Sequence, residues 1–114
     1  MIGAIAGDII GSEYEFHNTN KRDFQIFGRK STYTDDSILT CATADVILDG
    51  KLKATYSKYY LDYAQTFPNR GWGGNFALMV KTGSLKPYNS YGNGSAINYP
   101  MTKDHWVCKT LSHN

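Results

Sequence analysis

Two adjacent carboxylates, Asp35 and Asp36, stand in the stretch TYTDDSIL, between a threonine and an apolar run. Carboxylates in the first turn of a helix complement its dipole, typically by about 0.3–1 kcal/mol. The same residues have a second use. Thr34, Asp35 and Asp36 offer a hydroxyl and two carboxylates in consecutive positions, and hard cations such as Mg²⁺ or Ca²⁺ take oxygen ligands of this kind. Two carboxylates rarely complete an all-protein cage, so another acidic group is expected from elsewhere. Asp8, Glu13 and Glu15 are the candidates. Each also has an ordinary role open to it: Asp8 as a hydrogen-bonded interior residue, the two glutamates as solvated side chains.

A third element is the run YNSYGNGSA, which contains Gly92, Asn93, Gly94 and Ser95. Glycine-rich backbone before a helix start can turn N–H groups toward an anion, and Asn and Ser side chains add donors. Ordinary turns use the same residues.

The elements that would position these groups are helical. Residues 2–16 place Ile2, Ile5, Ile9 and Ile10 at approximately helical spacing. Gly3, Gly7 and Gly11 cost helix stability, which predicts close backbone packing and a largely buried helix. Asp8 would then need polar partners. Residues 17–33 read as a long loop, a length associated with function. A second helix follows, with Thr34 as N-cap, both aspartates in its first turn, and Gly50 as its stop. A third helix over 53–67 carries five aromatic residues and ends at Pro68. A glycine turn leads to a short fourth helix from about Asn75, and no stretch alternates as a strand does. The expected fold class is therefore all-α, with three or four helices.

Composition excludes several classes. The chain of 114 residues supports one domain. Twelve basic residues against ten acidic ones, scattered along the chain, leave no nucleic-acid-binding stripe. The apolar N-terminus is short, interrupted by Asp8 and without a basic lead, so neither a membrane span nor a signal peptide is expected. Cys41 and Cys108 make no disulfide framework and no CxxC metal motif. Cys41 reads as a small buried residue, and the cytoplasm as the expected location. Nine tyrosines suit pockets and contact surfaces.

The runs GAIAGDIIGSEYE, YTDDSILT, GWGGNF and YNSYGNGSA, in that order, resemble the N-terminal half of the ADP-ribosylglycohydrolase family, over roughly residues 1–96. The resemblance implies an all-α fold with a magnesium or manganese centre, and removal of ADP-ribose from modified side chains or related conjugates. It implies that Thr34, Asp35 and Asp36 are metal ligands, and that Glu15 and Asp36 act in catalysis. It gives Gly92, Asn93, Gly94 and Ser95 the diphosphate and distal ribose.

The family's second metal motif, Asp-x-Asp followed by Thr or Ser, has no counterpart here; Asp104 stands alone in TKDHW. The resemblance thus implies a form truncated at its C-terminal end, with residues 97–114 a divergent tail. One hydrated Mg²⁺ or Mn²⁺ is expected rather than a binuclear centre. Apolar helix faces left uncovered would meet a second copy or a partner protein. The alternative is a non-catalytic binding protein or inhibitor that acts through protein–protein contact, such as a phage-encoded anti-defence protein.

Overall fold

A computed structural model describes residues 1–50 and 56–84. They form four helices in the order α1 (Ile2–Gly11), α2 (Asp35–Leu48), α3 (Tyr56–Thr66) and α4 (Gly74–Thr82), with no strand among the described residues. The expected all-α class holds. The Gly92–Ser95 run, Cys108 and the 97–114 tail lie outside the described residues.

Helix α2 is the centre, with α1 and α3 packed on it and α4 on α3. It is buried on several sides, through Ile38, Ala42 and Val46 together with the small polar residues Ser37, Thr40 and Thr43. Tyr56 and Ala64 of α3 and Met79 of α4 complete the buried set. A helix apolar on most sides is one that neighbours surround.

Tyrosines join α2 to α3. Tyr63 donates its hydroxyl to Asp45, and Tyr59 donates to Asp49. Asp45 and Asp49 are one helical turn apart, as are Tyr59 and Tyr63, so the two bonds form rungs between antiparallel helices. A third contact joins the Thr43 and Tyr60 hydroxyls at 2.8 Å. Three of the tyrosines thus serve helix pairing, with the side chain half-buried and the hydroxyl partnered.

Three expectations are corrected. Helix α1 ends at Gly11 rather than near Phe16, because Ser12 closes it: its N–H donates to the Asp8 carbonyl and its hydroxyl to that of Ile9. Nor is α1 largely buried: none of its residues is, and a Cβ at Gly3, Gly7 or Gly11 would meet nothing within 4 Å among the described residues. Cys41 is exposed, because it shares a face of α2 with Leu48, on the side away from Ala42 and Val46. Gly50 does follow α2 with φ +62°, the left-handed stop predicted for it.

Candidate functional site

Asp8 reaches from α1 to the start of α2. Its Oδ2 accepts from the Thr34 N–H at 2.8 Å, the Ser37 N–H at 3.2 Å and the Ser37 hydroxyl at 2.5 Å. Its Oδ1 accepts from the Thr34 hydroxyl at 2.5 Å. Thr34 is the N-cap residue by backbone position, yet its side chain caps nothing. Asp8 does that work from another helix, satisfying the Ser37 N–H that the cap side chain ordinarily takes. Of the ordinary reading of Asp8, the structure shows the hydrogen-bond partners but not the interior position, since the residue is half-buried.

A second anchor holds Asp35. Its N–H donates to the Arg70 carbonyl at 2.8 Å. Gly71 follows with φ +88°, a conformation that favours glycine. A Cβ there would stand 3.7 Å from the Asp35 Oδ1. Three segments therefore meet: the C-terminal half of α1, the first turn of α2, and the turn after α3.

The electrostatics of this junction are crowded. Burial, then the Asp36 charge, push Asp35 up to about 6, opposed in part by hydrogen bonds with Thr34 and with its own backbone; Glu15 adds to the rise. Asp36 is raised as well, by burial first and then by the charges of Asp8 and Glu15. The four carboxylates thus lie within one field, with Glu15 exposed at its edge. Glu13 is directed elsewhere. It accepts from the Ser31 hydroxyl at 3.3 Å, which in turn accepts from the Gly28 N–H at 2.9 Å. It braces the α1–α2 loop.

That loop is tied down along its length. The Tyr14 hydroxyl donates to the Gln25 carbonyl at 2.9 Å, and its ring meets Phe24 edge-on at 5.4 Å. The Thr32 N–H donates to the Ser12 hydroxyl at 3.0 Å. At its C-terminal root the Arg70 guanidinium lies 3.8 Å from the centre of the Tyr33 ring, and Nη2 donates to the Tyr33 hydroxyl at 2.6 Å.

The residues present suit a hard cation in kind, offering a hydroxyl and carboxylate oxygens where negative charge accumulates. Among the described residues, no three acidic, cysteine or histidine side chains group closely enough to hold a metal by themselves. Thr34, Asp35 and Asp36 would hold one hydrated ion, with water completing its shell. A hollow of about 390 Å³ between α3 and α4, lined by Ala64, Pro68, Trp72, Ala77 and Val80, is apart from these acids.

Sequence reasoning did not find Ser37, Arg70 or Gly71. Gly71 lies in the glycine turn NRGWGG, where nothing local marks it as a neighbour of Asp35.

Comparison with protein families decides the ancestry. The sequence model described as ADP-ribosylglycohydrolase matches residues 1–103. The chain belongs to the ADP-ribosylglycohydrolase family. The match spans both sides of the acidic junction and includes Gly92–Ser95. Among curated proteins and among solved structures, nothing matches the chain.

Proposed function

We propose that this ADP-ribosylglycohydrolase-family protein binds the ADP-ribose group of a modified substrate together with one divalent cation, Mg²⁺ or Mn²⁺. Thr34, Asp35 and Asp36 hold the cation, and Gly92, Asn93, Gly94 and Ser95 take the diphosphate and distal ribose. The observation that carries the reading is that Asp35 and Asp36 stand together in the first turn of α2, a turn held in place by Asp8, in a chain of this family.

When bound, the cation orients ribose hydroxyls and makes a nearby water more acidic. The chain's own residues supply the rest. Asp8 fixes the first turn of α2 and so the direction of both aspartates. Asp36 accepts a hydrogen bond from a ribose hydroxyl. Glu15, exposed beside them, takes a proton from water as the water oxygen bonds to the anomeric carbon and the glycosidic bond breaks; that proton then passes to the departing atom, leaving free ADP-ribose and the parent side chain.

The test is calorimetric titration of ADP-ribose with and without Mg²⁺, paired with an assay for ADP-ribose release. Binding that needs Mg²⁺ and is lost in Asp36→Ala is expected, and its absence at high protein and metal concentration would remove the reading.

A second reading is binding without turnover, as an inhibitor or partner of another protein. The observation favouring it is that no third acidic, cysteine or histidine side chain groups with the two aspartates closely enough to hold a metal among the described residues, a thin set for hydrolysis. Mg²⁺-dependent binding without release selects it.

A further inference from the structure

We infer that the loop between α1 and α2 docks an acidic, apolar-containing stretch of the protein that carries the ADP-ribose group. The inference rests on the function proposed above and names the kind of substrate that site serves.

Three observations carry it. Phe24, Ile26 and Phe27 are 42%, 55% and 61% exposed within four consecutive positions. Loops seldom present such a cluster to water without a partner to cover it. Lys21 and Arg22 precede the cluster, and Arg29 and Lys30 follow it; all four are exposed. With Asp23 the only carboxylate, residues 21–30 carry a local charge of +3, against +2 for the whole chain.

The loop is also braced rather than loose, through Tyr14, Ser31 and the Arg70–Tyr33 contact. A surface held in place loses less freedom on binding. Both of its roots end at the acidic junction, since it leaves α1 beside Glu15 and enters α2 at Thr34. A side chain presented at Asp35 and Asp36 therefore brings its flanking polypeptide along this loop. Cations around an apolar centre complement carboxylates around an apolar side chain, and such complementarity sets partner choice.

The test uses the full chain and two short peptides bearing ADP-ribose on one central side chain, flanked by Asp, Glu and Leu in one and by Lys and Leu in the other. Binding is followed by fluorescence anisotropy. The acidic-flanked peptide is expected to bind roughly tenfold more tightly. Arg29→Glu/Lys30→Glu should reverse the preference, and Ile26→Ser/Phe27→Ser should weaken both peptides by roughly tenfold. That second variant leaves Phe24 on Tyr14, and affinity for free ADP-ribose should stay unchanged in it. Equal affinity for both peptides, with free ADP-ribose still bound, overturns the docking surface and leaves the nucleotide reading standing. An unmodified acidic-flanked peptide that binds with the same preference, while ADP-ribose does not bind, upholds the surface and fails the nucleotide reading. Binding to anionic phosphatidylserine vesicles without peptide preference assigns the loop to a lipid surface and overturns the inference.

Discussion

Replacing Asp8 by alanine removes the group that caps α2 from outside. Four donors lose their acceptor: the N–H and hydroxyl of Thr34, and the N–H and hydroxyl of Ser37. The hydroxyls can turn to water, so most of the cost falls on the two backbone N–H groups. Loss of an N-cap costs about 0.5–2 kcal/mol, and a hydrogen bond to a charged acceptor contributes about 1.5–3 kcal/mol. Ser37 is buried while Asp8 is half-buried, which places the sum at about 2–3 kcal/mol. For a domain of this size that is a fall in Tm of about 8–12 °C. Circular dichroism at the helical band, followed on heating and in urea, measures it. Asp8→Asn should recover only part, because its amide N–H₂ faces donors. A cycle with Ser37→Ala should show a coupling of about 1 kcal/mol. An Asp8→Ala protein within about 0.5 kcal/mol of the wild type, the usual range for an uninvolved surface change, would refute foreign capping.

Other outcomes follow from the same contacts. Burial and neighbouring charge raise the folded-state pKa of Asp35 from 3.8 to about 6, so its ionisation works against folding: the penalty is absent below about 3.8, grows between that value and about 6, and is complete above it. That difference converts to about 3 kcal/mol at full strength, and solvent screening of a half-exposed carboxylate reduces it to about 1 kcal/mol. Urea unfolding in EDTA should thus show stability falling from pH 4 toward pH 7, with the slope diminished in Asp35→Asn and offset by added Mg²⁺ in the wild type. Tyr63, held by Asp45, is pushed up to about 12; Tyr63→Phe should lower stability by about 1 kcal/mol at neutral pH, seen as a shifted urea midpoint at constant slope. A Cβ at Gly28 would collide with the Glu13 carboxylate. That carboxylate ends a flexible side chain and can swing aside, so Gly28→Ala should cost no more than about 0.5 kcal/mol and nothing further in a Glu13→Ala background, as unfolding of the single and double variants would report.

The helices were legible from residue order because their signals are local. Spacing of apolar side chains, Pro68 after α3 and Gly50 after α2 act within a few positions, and backbone sterics make them nearly independent of what lies elsewhere. The paired aspartates were legible too, as residue types at a helix start, and the order of four short runs pointed to the family. The end of α1 was misplaced because Ser12 closes the helix with its own hydroxyl while Glu13 and Tyr14 turn to the loop. Cys41 was misjudged because the exposed side of α2 is as apolar as its buried side, and only the positions of α1 and α3 tell the two apart.

What residue order alone settled was chemistry and class: a helical chain of the ADP-ribosylglycohydrolase family with oxygen donors grouped at positions 34–36. What only the tertiary structure decided was how those donors are held and charged. Asp8 lies 26 positions before Thr34, yet it caps the helix that Thr34 begins. Gly71 comes against Asp35 across a still longer stretch of chain. Burial and the summed fields of Asp8, Asp36 and Glu15 raise the aspartates. Coulomb energy depends on distance and surroundings, and neither quantity exists until separate segments have been brought together.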